Sequence, residues 1–368
     1  MSTYKDLKTS SEQVTTRTLL HEAIPLTGSI SSGSYSDSNI KDFSHGMFQS
    51  VYDYPYLSSS ANHIYDITIG VDPDSHLSSS AYTQNAKKIN IYNQMAQVLM
   101  GYDVDNNIQK FDADGNISAG GTKIKECFFL AFSRLLVKDE IKKGSFSMTM
   151  GIKGDYDNAG GVMEKKLTIT DASGSNSYFT NSPTGEYGIL YANAATDNFF
   201  YYATDYNPPV GLIFYQAGVA VISGSIFNDA GYGGILHNSN IGETQLHPLR
   251  DSGGYDGFHG ITGSTITQTA DAIRNRIFDL SFNNTIELNS SIYFCRAAHN
   301  EFNFSSNPTY VDGSKIRCKG KQADPPVAYI TTVGLYSDDN QLLAVGKLSE
   351  PIRKDPSIEL TFRARLDY

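Results

Sequence analysis

The pattern of apolar and polar positions changes character several times along the chain. Residues 1–40 are polar, lack a sustained hydrophobic period and include GSISSGSYSDS at 28–38. Such a stretch cannot bury a core alone and reads as an arm that orders against a neighbour. Residues 43–70 are aromatic and compact, and 62–66 fit the opening of a helix or a strand equally by period. Ile89, Tyr92, Met95, Ala96 and Leu99 then recur at helical spacing, with Gly101 as a stop, so a helix is predicted over 87–101. A second helix is predicted over 123–143. There Cys127, Phe128, Leu130, Ala131, Leu135 and Leu136 leave the centre apolar nearly all round, as in a buried helix.

Period two takes over at 145–153, where Phe146, Met148, Met150 and Ile152 alternate with small or polar residues. Further strands are predicted at 165–170, 188–192, 199–203 and 210–227. The apolar run 210–222 is interrupted by Gln216 and contains Gly211 and Gly218, so two buried strands explain it better than a membrane span. Between Lys166 and Arg274 the only basic residue is Arg250, and glycine clusters at 231–234 and 252–263. Residues 166–264 therefore read as a Gly-rich β insertion lobe. A short helix is expected over 265–276, then strands at 277–282, 291–297, 328–336, 342–348 and 359–366. Asp338, Asp339 and Asn340 turn the chain between two of these. The predicted fold is α+β and β-rich. It comprises an arm (1–40), a mixed α+β part (41–165), the insertion lobe (166–264) and a C-terminal antiparallel β module (265–368).

Composition sharpens this picture. Tyr (24) and Phe (19) supply most of the large side chains, Trp is absent, and charged residues are only 18%. Tyrosine buries area at low entropic cost and keeps a hydrogen-bonding tip, which suits extensive protein contact. A net charge of −10 argues against a chain devoted to binding nucleic acid. The charge is uneven. Residues 315–368 hold nine basic and seven acidic residues, a balance of +2, which leaves −12 for the remainder. Opposite charge at two ends of a subunit favours ordered association with a neighbour. Cys127, Cys295 and Cys318 form no C-x-x-C pair, and apolar neighbours mark the first two as buried thiols. The opening twenty residues lack the apolar stretch of a secretion signal.

Catalytic and metal-binding patterns fail one by one. No G-x-S-x-G occurs, and Gly28 to Gly33 misses its spacing. Asp103, Asp105 and Asn107 copy three EF-hand positions, but Ile108 replaces the turn glycine and Asp114 the bidentate glutamate. His237, His247 and His259 match no zinc spacing. Glu186, Asp197 and Asp205 lie among aromatics, as sugar-cleft carboxylates do, yet the setting is ordinary for a β lobe. No cofactor is implied. The basic run Lys315, Arg317, Lys319, Lys321 lacks interleaved aromatics and reads as an electrostatic latch to an acidic neighbour rather than a nucleic-acid contact. Phe302, Phe304 and Tyr310 lie in a turn-rich bridge from which the two phenylalanines alternate towards a core. Residues 331–336 form a β-branched, half-buried strand, with Gly334 where another backbone approaches.

Several segments resemble virion structural proteins of large contractile-tailed phages, the T4-like phages of cyanobacteria above all. They are SIYFCR at 291–296, NEFNFSSNPTY at 300–310, YITTVGLY at 329–336, LLAVGKL at 342–348 with Pro351 and Ile352, QSVYDYPY at 49–56 and INIYNQMA at 89–96. The resemblance implies a non-catalytic subunit of the tail baseplate or the neck and collar, in contact with other virion proteins and copies of itself. Assembly contacts are then expected from Lys315, Arg317, Lys319, Lys321, Phe302, Phe304 and Tyr310. No membrane partner is implied. A host-surface receptor- or glycan-binding tail protein is the alternative, and a virion-associated cell-wall hydrolase is disfavoured.

Overall fold

The structure, a computed structural model, describes residues 4–25, 37–115, 123–153, 165–193, 207–227, 235, 261–305 and 307–368. In chain order its strands begin with β1 (Gln13–Pro25), β2 (Ile40–Asp42), β3 (Gln49–Tyr52), β4 (His63–Val71), β5 (Glu126–Phe132) and β6 (Glu140–Ile141). Next come β7 (Ser147–Lys153), β8 (Lys165–Thr170), β9 (Phe179–Ser182), β10 (Gly185–Ala192), β11 (Pro209–Phe214), β12 (Val219–Ser223) and β13 (Ile277–Ala297). The last are β14 (Val311–Asp312), β15 (Lys315–Ile316), β16 (Ala328–Tyr336), β17 (Leu342–Lys354) and β18 (Leu360–Asp367). Of the described residues, 46% are strand and 15% helical, so the fold is α+β and β-rich, as the patterning indicates. Two compact units divide the chain, His21–Ile286 and Met1–Leu20 with Glu287–Tyr368.

In the larger unit the strand order is β13-β7-β8-β10-β11-β12-β5-β4-β3-β2. Neighbours are antiparallel, as where β5 lies between β4 and β12. Strands β5, β11 and β12 are buried on both faces, and so read as continuous apolar runs rather than alternating ones. That corrects the second helix predicted over 123–143. A short apolar run has the same pattern in a buried helix and a central strand. Here it forms β5, followed by a single helical turn at Arg134–Val137, then β6, with Lys138 at φ 60° ending the turn. The described strands of the expected insertion lobe, β8 to β12, are likewise members of this sheet rather than a lobe of their own. The segment 199–203 lies outside the described residues. The helix predicted over 87–101 is present as Asn85–Leu99, and the one over 265–276 as Ile266–Arg274. The latter belongs with the larger unit, and the two strands expected over 277–297 are one, β13.

Alternation along β5 sends aromatics to both sides of the sheet. Phe129 meets Phe111, which in turn packs on Tyr92 and Phe214 at 5.5 and 6.3 Å. On the opposite face Phe132 meets Phe146 and Phe282 at 6.0 and 5.2 Å. Such pairs add about 0.5–1.5 kcal/mol each beyond their buried area. The helix Asn85–Leu99 comes close to β4 because Gly70 has no side chain. A Cβ there would stand 2.8 Å from the Tyr92 backbone nitrogen and 2.9 Å from the Phe129 ring. Gly70→Ala is therefore expected to lower stability by about 1–3 kcal/mol through overpacking against backbone. A reduced urea midpoint at unchanged slope is the readout.

Lys88, on the same helix, is 2% exposed and donates to the carbonyls of Ile261 and Ser264. Burial pulls its pKa from 10.5 down to about 8. Between those values the folded chain has lost a proton that the unfolded chain retains, so this residue's contribution to stability rises with pH across that window. Relative to Lys88→Met, the native chain should gain up to about 2 kcal/mol between pH 7 and 9.5, read by urea unfolding at both values.

The smaller unit is built differently. Residues 290–297 of β13 pair with β18 from Ser290↔Asp367 to Ala297↔Leu360. Beside this ladder stand two hairpins, β14–β15 and β16–β17. Among described residues, the buried members of the apolar core cluster lie between Ile40 and Phe282, with half-buried Ile24 packed against them. Among described residues of the smaller unit, only Ala297, Tyr310, Val327 and Ala328 are buried hydrophobics. Part of the expected N-terminal arm is strand β1, preceded by a helical turn at Thr9–Glu12, yet nothing in 4–24 is buried. Within the smaller unit Lys5 reaches Glu301 at 2.6 Å and the Arg296 carbonyl at 3.0 Å, and Arg17 pairs with Glu287. These ties are polar and partly solvated, so each is worth little.

Candidate assembly surface

The β16–β17 hairpin is rich in β-branched and aromatic residues, as strands favour. Its turn is closed by Ser337 N–H to the Gln341 carbonyl at 2.9 Å and Asn340 N–H to the Ser337 carbonyl at 3.0 Å. Asn340 takes φ 58°, a conformation that asparagine tolerates. From Ala328↔Lys354 the register runs through Ile330↔Ile352, skips to Thr332↔Lys347 and ends at Tyr336↔Leu342. The skip bulges Leu348 to Pro351 out of β17, which is where a strand can hold a proline.

Between Tyr329 and Arg353 no residue is buried. Leu343 is 68% exposed, Val345 60%, Leu342 53% and Tyr329 51%. The two strands form a sheet by themselves, so their outer edges have no ladder partner among described residues. The expected strand at 331–336 is present, with Val333 and Leu335 half-buried between exposed neighbours and no fully buried residue. The reading of Gly334 is corrected: the space a Cβ would need is taken by Tyr336 and Leu342 side chains at 2.9 and 3.3 Å, not by another backbone.

At the root the hairpin is clamped. Lys354 is fully buried, and its ammonium donates to Asn303 Oδ1 at 2.7 Å, the Asp355 carbonyl at 3.1 Å and the His299 carbonyl at 3.3 Å. Tyr310 Oη donates to the Val327 carbonyl and lies 3.4 Å from that of Asn303. These bonds tie the bridge 299–310 to the hairpin and set its aromatics. Tyr310 is buried, and the Phe304 ring packs edge-on against it at 4.9 Å. Phe302 and Phe304 do not reach a core, being 39% and 42% exposed, with Phe302 at φ 53°.

The basic run begins at the same root. Lys315 lies on β15 opposite Asp312, and Arg317 N–H donates to the Tyr310 carbonyl at 3.0 Å. Lys319 donates to the Gln322 carbonyl at 2.9 Å, and Lys321 N–H to Asp324 Oδ2 at 2.7 Å. Lys315, Arg317 and Lys321 are exposed and Lys319 half-buried, and none pairs with a carboxylate among described residues. Sequence reasoning named these residues but missed Lys354, since a lysine near a strand end reads as solvated.

The other candidates are absorbed locally. Asp103 accepts from Asn107 N–H at 2.8 Å and Asp105 N–H at 2.9 Å, and these bonds, the Asn107 one foremost, hold its carboxyl below the usual range. No group of three metal-ligating side chains occurs among the described residues. Glu186 pairs with Lys143 at 2.5 Å. Asp197, Asp205, His237, His247 and His259 lie outside the described residues. Cys127 is buried as expected, whereas Cys295 is half-buried; burial raises both thiols. No described helix is long and apolar enough to cross a membrane.

No family model matches the chain, and no curated protein or solved structure shows significant similarity to it.

Lys354→Ala should leave dry acceptors at the hairpin root and cost about 1–3 kcal/mol locally. Faster amide hydrogen exchange across 299–310 and 327–330, with the larger unit unchanged, is the expected sign.

Proposed function

We propose that this chain is a structural subunit of a tailed-bacteriophage particle, in the tail baseplate or the neck and collar, joined to other virion proteins and to copies of itself. The observation that carries the reading is the β16–β17 hairpin, apolar on exposed positions and, among described residues, unpaired on both edges. A two-stranded hairpin is marginal alone in water and gains stability from a third strand or a covering surface. The unit that bears it buries only four hydrophobic residues among those described, two of them alanines, so little of its apolar surface is satisfied within the unit. Two of the six segments that resemble phage structural proteins, YITTVGLY and LLAVGKL, fall on β16 and the first half of β17, the strands most in need of a neighbour; SIYFCR falls on β13, QSVYDYPY begins on β3 and INIYNQMA lies on the helix Asn85–Leu99.

A shortened hairpin tests this. Joining Ile330 to Ile352 by an Asn-Gly turn removes the projecting part and keeps the Ala328↔Lys354 root. In particles produced from a genome carrying that change, the chain should be missing or the particles incomplete, while the purified chain keeps its circular dichroism. Normal copy number and infectivity would end the proposal.

A further inference from the structure

The two edges of the exposed hairpin are not equivalent. The bulge and Pro351 interrupt β17, features that blunt an edge against pairing. The nine residues of β16, Ala328 to Tyr336, contain no proline, no charged residue and no bulge of their own. Natural edge strands carry at least one such guard unless a partner covers them. The hairpin also has charged ends of opposite sign. Asp338 and Asp339 stand exposed at the tip, giving −2. At the root and along the returning strand, segments 311–324 and 347–355 hold seven basic residues against four acidic ones, a balance of +3. Arg317 is tied to that root through Tyr310.

We propose that β16 pairs antiparallel with β16 of a second copy of this chain, about a two-fold axis near Thr332. The result is a four-stranded sheet with the order β17, β16, partner β16, partner β17. Antiparallel pairing is the arrangement that sets each acidic tip beside the partner's basic root, about 25 Å along the strands. A parallel arrangement would stack tip on tip. The contact is self-complementary, as a two-fold interface requires, and uses the strand-addition mode of recognition. It covers Tyr329 at one end of the new ladder, while Tyr336 at the other end packs edge-on against Tyr4 of its own chain at 5.0 Å. This inference rests on the assembly reading above and names the partner and the register.

The test uses the full chain. Analytical ultracentrifugation at micromolar concentration should show a dimer that weakens with salt. Asp338→Lys with Asp339→Lys should weaken it by about tenfold or more, as should Lys315→Glu with Arg317→Glu, and the two variants mixed should restore pairing. All four positions are exposed, so unchanged circular dichroism is expected for each variant. In a Cys318→Ser background, Thr332→Cys should form an intermolecular disulfide under mild oxidation. A monomer under these conditions overturns the inference, and so does a dimer indifferent to both charge reversals or lacking the Thr332→Cys cross-link. If the chain is monomeric yet still needs its hairpin to enter particles, this inference fails alone. If it dimerises but enters particles with the hairpin shortened, the assembly reading fails instead.

Discussion

A strand in water has two needs, cover for its apolar face and hydrogen-bond partners for its edges, and the two units of this chain meet them differently. In the larger unit the central strands meet both needs internally. Strands β4, β5, β11 and β12 have neighbours on both sides, and aromatic layers headed by Phe129 and Phe132 occupy the two faces. In the smaller unit β13 and β18 form a continuous backbone ladder, but among described residues β16 and β17 have only each other as ladder partners. That imbalance leaves the hairpin as the part of the described chain most in need of a neighbour.

Polar side chains, not a core, hold the smaller unit's shape. Lys354 and Tyr310 are buried at the root of the hairpin, where their donors satisfy backbone carbonyls that would otherwise be dry. Such bonds fix geometry without using up apolar area. The hairpin is thus presented rigidly at its base, with Leu342, Leu343 and Val345 still available to a neighbour. A surface that is pre-positioned in this way loses less entropy when it is covered.

Much of this architecture was legible in the residues, and the exceptions have physical causes. Alternation located β7, β8 and the C-terminal strands, and the spacing of Ile89, Tyr92, Met95, Ala96 and Leu99 located the helix on β4, of whose buried positions it found Tyr92, Ala96 and Leu99 but not Ile91. The run at Cys127–Leu130 misled because burial on both faces erases the period that separates strand from helix. The composition shift after Lys166 suggested a separate lobe, but charge content reports solvent contact and says nothing of which strands pair. At the candidate surface the alternation of β16 implied one buried face. Periodicity states which residues share a face, not whether anything covers it. Lys354 gave no signal at all, since its role depends on carbonyls more than fifty residues away in the chain.

In an assembled particle the exposed hairpin should be covered by a neighbouring protein subunit. Electron cryomicroscopy of intact phage particles would reveal this by tracing the chain into the tail or neck density. The expected map shows β16 and β17 continued by strands or a covering surface of an adjacent subunit, with Leu342, Leu343 and Val345 excluded from solvent. A map in which the chain is absent from the particle, or in which the hairpin stands free in solvent, would contradict it.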